Sequence, residues 1–177
     1  MSKGRFLIPE PVNEPVRAYA PGSVEAKSLL KTIEQLQSQE LEIHSVIGGK
    51  AIKSDKVIDF TGPSDHKHVL AKVHQASSTD IDNAIENALE ARSAWEEMPW
   101  EERAAIFLKA AELLEGPYRD LVNASTMLGQ GKNVYQAEID AACELIDFFR
   151  FNVKYMEEIA EQQPYYSPTG MWNRLEQ

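Results

Sequence analysis

The chain has 177 residues and carries 18 Lys and Arg against 28 Asp and Glu, a formal net charge of −10 with neutral histidines. That length holds one domain, or one and a fraction, and 43% apolar residues supply a core, which excludes wholesale disorder. The acidic balance argues against nucleic acid and anionic membrane surfaces as partners, since both are held by clustered Lys and Arg. No apolar run reaches the roughly 20 residues of a membrane-spanning helix.

Met1 to Pro9 is too short and too soon broken by proline for a signal peptide, and lacks the Arg- and Ser-rich stretch of a transit peptide. Pro9, Pro11, Pro15 and Pro21 make 1–22 an irregular arm laid over something larger. Ser23 caps a helix over about 24–41, with Leu29, Leu30, Ile33, Leu36 and Leu41 as its apolar stripe. Over 42–75 the period changes. Ile43, Ser45 and Ile47 lead into the hairpin dipeptide Gly48-Gly49. Val57 to Phe60 reads as a short strand ended by Thr61-Gly62-Pro63, and the alternation of Val69, Ala71 and Val73 as another. From 79 to 160 the chain reads as helical. Thr79 and Asp82 match a capping box, with Ile81, Ala84, Ile85, Ala88, Leu89 and Trp95 at helical spacing up to Pro99. Trp100 opens the next helix, which Gly116-Pro117 closes. A third runs from about Tyr118 to Leu128 and ends at Gly129, and a long one from about 133 to 160. In 161–177, Pro168-Thr169-Gly170 between Tyr165-Tyr166 and Met171-Trp172 reads as a hairpin turn.

Four features invite a chemical reading. His66 and His68, with His74 nearby, suggest a metal, but they flank a turn with no carboxylate at a diagnostic offset and read as solvated loop histidines. Gly129-Gln-Gly131-Lys132 follows a helix and lacks both the Walker spacing and the dinucleotide glycine pattern, so it reads as a tight helix junction needing positive φ. The only cysteine, Cys143, excludes an intrachain disulfide and fits a reducing, cytoplasmic compartment. Asp140, Glu144 and Asp147 within about a turn raise its pKa, which reads as an inert helix residue. Asn123-Ala-Ser125 fits a glycosylation sequon with no secretory signal to use it.

The long helix carries two acids of interest. On a uniform wheel of about 100° per residue, Glu144 falls beside Phe148, Ala137, Ala141, Tyr155 and Phe151. Asp140, Asp147, Arg150 and Lys154 form an expected solvent face. Glu138 falls deeper, among Val134, Leu145, Phe149 and Met156. A carboxylate in apolar company needs pairing, so the structural reading is a buried acid holding backbone or arginine groups. The functional reading is a carboxylate facing a ligand pocket, and periodicity alone favours Glu138 for it.

The run Arg103-Ala-Ala-Ile-Phe-Leu-Lys-Ala-Ala-Glu-Leu-Leu-Glu-Gly-Pro-Tyr118 resembles the N-terminal region of the aldehyde dehydrogenase superfamily, in the branch that oxidises L-glutamate γ-semialdehyde. Thr126 to Asn152, including Asp-Ala-Ala-Cys-Glu144-Leu-Ile-Asp, is similar too, as are Asn13 to Ser23 and Gln162-Gln163-Pro164. The resemblance implies an α/β fold, mostly helical here with a small β-rich segment. Residues 1–160 would be the N-terminal part of the NAD-binding domain, and 161–177 the truncated beginning of an oligomerisation hairpin. It implies an NAD-dependent oxidoreductase of proline degradation, acting as a homo-oligomer on a small aldehyde and inactive in this segment alone. The family's catalytic cysteine, glutamate base and most NAD contacts lie later in its sequences. One position carries over: Glu144, near the aldehyde-substrate entrance. Against this stand a free-standing helical interaction module and a different aldehyde dehydrogenase subfamily. Exposed apolar surface is expected in any of these cases, because the long helix is apolar over more than half its circumference.

Overall fold

The computed structural model of the chain describes residues 7–175. The readings of Met1 to Phe6 and of the last two residues of the expected hairpin lie outside the described residues.

Helix α1 (Val24–Gln37) starts where Ser23 accepts from the Ala26 amide, as its N-cap position predicts. It stops at Gln37, short of 41, because Leu41 begins β1 (Leu41–Ile43). Gly48 and Gly49, both at positive φ (56° and 74°), make the tight turn between β2 (Ser45–Ile47) and β3 (Lys50–Ile52). The strand read at 57–60 extends to Gly62 as β4 (Val57–Gly62), and β5 (Asp65–His74) pairs with it antiparallel. Strand β5 also takes β1 on its other edge, in parallel, giving the order β1-β5-β4. His66 and His68 therefore belong to a strand, not a loop: β5 is four residues longer than its clean alternation, with Asp65, His66 and Lys67 exposed, while His68 is half-buried and not solvated at Nε2.

Helix α2 (Ser78–Glu97) is capped by Ser77 and Asp80 in a reciprocal box, two residues before the expected Thr79-Asp82 pair. Helix α3 (Trp100–Glu115) ends at Gly116, whose φ of −97° is not left-handed. Helix α4 (Arg119–Gln130) runs past Gly129 to a left-handed Gly131 (φ 68°), the C′ glycine of the junction. The last helix begins as α5 (Val134–Ala137), passes through a π turn over Glu138–Cys143 and continues as α6 (Glu144–Glu161). The tail makes the turn at 168–171, with Gly170 at φ 82° and the Met171 amide on the Pro168 carbonyl. No strand forms on either side of it among the described residues. Gln163 and Leu175 bridge the two arms instead, through both the amide and the carbonyl of Leu175.

Small residues set the core. Ala104 and Ala111 of α3 and Ala142, Ile146 and Val153 of the last helix are buried where α3 and α6 pack. Gly62 lets β4 meet α4: a Cβ there would lie 2.7 Å from the Leu128 carbonyl oxygen. By contrast α2 buries no residue; its stripe of Ile81 (55% exposed), Ile85 (55%) and Leu89 (63%) is bare.

The arm is fixed by charge. Arg119, fully buried at the start of α4, bonds Glu138 of the π turn through Nε and Nη2, Glu14 of the arm through Nη1, and the Pro15 carbonyl (2.9 Å). Glu138 also accepts from the Arg17 amide (2.8 Å), the Tyr19 hydroxyl (2.9 Å) and Asn123 Nδ2 (2.7 Å). Arg150 joins Glu14 (2.8 Å) to Glu115 (2.7 Å). Tyr19 sits at φ 47°, the one non-glycine residue at positive φ among the described residues, and its hydroxyl is clamped between Glu138 and Asn123. Burial alone raises the Glu138 pKa, but the Arg119 pair and the three other donors outweigh it and hold the carboxyl below its ordinary value of 4.5. Burial, then Glu138, pushes Tyr19 up to about 12.

The signs fix the pH profile. A depressed carboxyl stabilises the fold above its unfolded pKa and loses that contribution as pH falls below about 4.5. A raised Tyr19 stabilises below pH 10 and loses its contribution as pH rises toward about 12. Urea unfolding followed against pH is therefore expected to show a plateau that falls on both sides. Glu138→Gln lowers the plateau by about 3–5 kcal/mol, the cost of an uncompensated buried charge, and flattens the acid limb; Tyr19→Phe weakens the alkaline one. Gly62→Ala is expected to cost about 1–3 kcal/mol in the same assay, because the Leu128 backbone must move.

Candidate functional site

The π turn places the candidate acids differently from a uniform wheel. An i→i+5 turn holds an extra residue, so positions before it slip in phase against those after it. Within α6 the grouping of Glu144 with Phe148, Phe151 and Tyr155 survives. Across the π turn it fails: Ala137 is fully buried while Glu144 is exposed. Glu138 is not among Val134, Leu145, Phe149 and Met156 as a lone acid; it is the centre of the arginine network, the structural role read for it from its need of a partner. The expected solvent face holds at exposed Asp140 and is corrected beyond it. Asp147, Arg150 and Lys154 are half-buried because the arm lies on them, through Asn13, Glu14 and Glu10 respectively.

Between arm and α6 lies a groove of about 390 Å³ walled by Asn13, Glu144, Asp147, Phe148, Phe151 and Tyr155. Asp147 is engaged at both oxygens, accepting from Asn13 Nδ2 and the Glu14 amide, each at 2.7 Å. The Glu144 side chain makes no hydrogen bond or ion pair with any described residue. The groove thus offers one free carboxylate beside aromatic rings, with Phe151 and Tyr155 6.3 Å apart. Such a site suits a small cation with an apolar stem. A larger cavity of about 630 Å³ on the far side of Asn152 and Tyr155 is walled by Trp100, Arg103 and tail residues Gln163 and Arg174.

The remaining candidates resolve into structure. Cys143 is buried, and its thiol is pushed up to about 11, first by burial, then by Glu138, Glu14 and Asp147 against an opposing Arg119. Inertness was expected from Asp140, Glu144 and Asp147; of these only Asp147 acts, and burial dominates. Asn123 of the sequon is fully buried and bonded to Glu138, closed to a glycan. In the glycine junction, a Cβ at Gly131 would meet Pro63 at 3.0 Å, Gly129 faces the Phe60 ring, and Lys132 pairs with Asp140 (2.6 Å). These glycines permit close packing of α4 on the β4–β5 turn and present no phosphate cradle. His74 lies apart from His66 and His68 as a site partner; its neighbour is His44. Arg119, Glu14 and Tyr19 escaped the sequence reading, since nothing local marks a helix-start arginine as the partner of an acid 19 residues on.

The comparisons agree with this architecture. The aldehyde dehydrogenase family pattern matches residues 51–175. The chain is 48% identical over 172 residues to a Δ1-pyrroline-5-carboxylate dehydrogenase of Agaricus bisporus, covering 97% of this chain and 32% of that protein. It is 47% identical over 152 residues to the human mitochondrial Δ1-pyrroline-5-carboxylate dehydrogenase, covering 86% and 27%. The crystal structure of the corresponding dehydrogenase of Mycobacterium tuberculosis superposes with a TM-score of 0.94 at 46% identity, over 98% of this chain and 32% of that one. The chain spans about a third of the length of these relatives, and its fold matches the N-terminal part of theirs. With the family pattern covering well over half of its residues, the chain belongs to the aldehyde dehydrogenase family.

Proposed function

We propose that the chain is the N-terminal part of an NAD-dependent dehydrogenase that oxidises L-glutamate γ-semialdehyde to L-glutamate in proline degradation, and that Glu144 binds the substrate. The observation that carries this reading is the free Glu144 carboxylate in an aromatic groove, within a sequence 48% identical along 97% of its length to a Δ1-pyrroline-5-carboxylate dehydrogenase. The semialdehyde carries an α-ammonium group, and a carboxylate with no internal partner is the group to hold it. The rings of Phe148, Phe151 and Tyr155 would line the path of its methylene stem and displace water.

The chemistry at the aldehyde belongs to polypeptide outside this chain. Cys143, buried and held as a thiol, is unsuited to attack a carbonyl. NAD would accept the hydride, and a Mycobacterium tuberculosis relative has been solved with NAD bound. The Gly129–Gly131 junction would not cradle its phosphates, because Pro63 and Phe60 close it. We therefore assign the segment no activity alone. The bare stripe of α2 and the exposed Tyr165 and Trp172 of the tail favour assembly with further polypeptide and as a homo-oligomer, with 161–175 opening the oligomerisation hairpin. No helix among the described residues is long and apolar enough to cross a membrane. A cytoplasmic location remains part of the proposal on the strength of a single, buried cysteine, and a mitochondrial one is the alternative that several relatives' names offer.

In the complete enzyme, Glu144→Gln is expected to lower kcat/KM for the semialdehyde about 10- to 100-fold, the worth of a charged hydrogen bond. The loss should fall mainly on KM and spare a simple aliphatic aldehyde. Equal loss for both substrates, or none, would remove Glu144 from substrate binding and favour another subfamily. Cys143→Ala in the same enzyme is expected to keep kcat and KM within about twofold; a loss of turnover would make that thiol a reactant.

A further inference from the structure

A second cluster of ligating groups lies away from the groove, at the C-terminal ends of β1 and β5. Glu42 and His44 are two apart along one extended segment and so project to the same side. The parallel register pairs Ile43 with Val73, which brings His44 opposite His74 one residue further on. The two imidazoles stack, 4.3 Å between centroids and 17° between planes. His44 Nε2 lies 3.5 Å from Glu42 Oε2; it is buried and has no hydrogen-bond partner. One oxygen of Glu42 and one nitrogen from each histidine all fall within 4.8 Å of one another.

We propose that Glu42, His44 and His74 form a binding site for a divalent transition ion of the zinc type, which would clasp β1 to β5. Three observations support it. The donor set of two imidazoles and a carboxylate is that of open zinc and iron sites, and two nitrogens disfavour magnesium and calcium. His74 is held at one ring nitrogen only: Ser54 meets Nδ1 with both its amide N–H (3.0 Å) and its carbonyl oxygen (2.8 Å), which fixes the ring and leaves Nε2 as the nitrogen an ion would take, with any Nε2 proton released on binding. The buried Nε2 of His44 makes no hydrogen bond and faces only the Glu42 carboxylate, the third member of the set.

Two features oppose occupancy, and both are testable. Ligands about 2.0–2.2 Å from a tetrahedral ion stand roughly 3.3 Å apart, closer than 4.8 Å, and two stacked rings cannot both aim at one ion. Binding therefore requires His44 to turn off the stack and exposed Glu42 to swing in. Lys53 also competes, with its ammonium 3.4 Å from Glu42 Oε2. Its charge must be displaced before the carboxylate can ligate.

The test is calorimetric titration of the full chain with Zn²⁺ near neutral pH, paired with nitrogen-detected NMR of the histidine rings. One ion per chain is expected, with the ring resonances of His44 and His74 moving and those of His66 and His68 staying. His44→Asn and His74→Asn, compared at matched circular dichroism, should each weaken binding by at least about tenfold. His66→Asn and His68→Asn should leave it unchanged, and Lys53→Ala should tighten it. Glu42→Gln keeps the shape of the side chain and should weaken binding even if a histidine variant proves unstable. No heat of binding, binding that survives loss of His44 or His74, or binding that follows His66 and His68 would each overturn the site.

Discussion

The buried pair of Arg119 and Glu138 is the constraint on which the rest of the architecture hangs. Both side chains are withdrawn from water, so each obliges the other, and their remaining donors and acceptors must be matched as well. The matching groups are supplied by the arm: Glu14, the Pro15 carbonyl, the Arg17 amide and the Tyr19 hydroxyl. An arm of prolines has few amides to offer a sheet, and this one is held by point contacts instead. Such a buried network is a poor source of net stability compared with apolar packing of the same volume. What it gives is registry. A slip of the arm by one residue would strand Arg119 without Glu14 and Glu138 without the Arg17 amide.

The same acid stands where the last helix departs from regularity. Glu138 stands at the first position of the π turn, with its carboxylate directed to Arg119 on α4. Beyond the turn, Glu144 opens a regular helix whose phase presents it outward with Phe148 and Tyr155. One helix thus carries an inward acid for the arginine and an outward acid for the groove, six residues apart. A regular helix would turn six residues through about 600°, placing the second acid about 120° from the first.

How far the sequence could be read depended on the range of the interaction concerned. Local signals were legible: Ser23 as a cap, Gly48-Gly49 as a tight turn, Pro99 as a helix stop and the prolines of the arm. The end of α1 was missed because Leu41 fits a helical stripe as well as it fits a strand, and only pairing with Ala71 of β5 decides between them. The capping box moved by two residues because Ser77 and Thr79 each have an acid three residues on, Asp80 and Asp82, and the pair nearer the strand exit is the one that forms. Glu138 was recognisable as an acid in need of a partner. Its partner was not, since the Arg119 contact is a tertiary fact. Glu144 is a different case, because its place came from family resemblance and not from periodicity, which favoured Glu138.

The groove depends on the arm as much as on the helix. Asp147 and Glu144 lie one turn apart on α6 and begin as equivalent acids. The arm removes the equivalence: Asn13 and the Glu14 amide each bond one oxygen of Asp147 and turn it into an anchor, while no hydrogen bond or ion pair from a described residue reaches Glu144. Glu14 is itself held by Arg119 and Arg150, so the line of dependence runs from the buried arginine through the arm to the choice of which carboxylate stays free. The free acid of the groove is therefore defined by subtraction, and the network that holds the arm decides which of the two carboxylates is left without an internal partner.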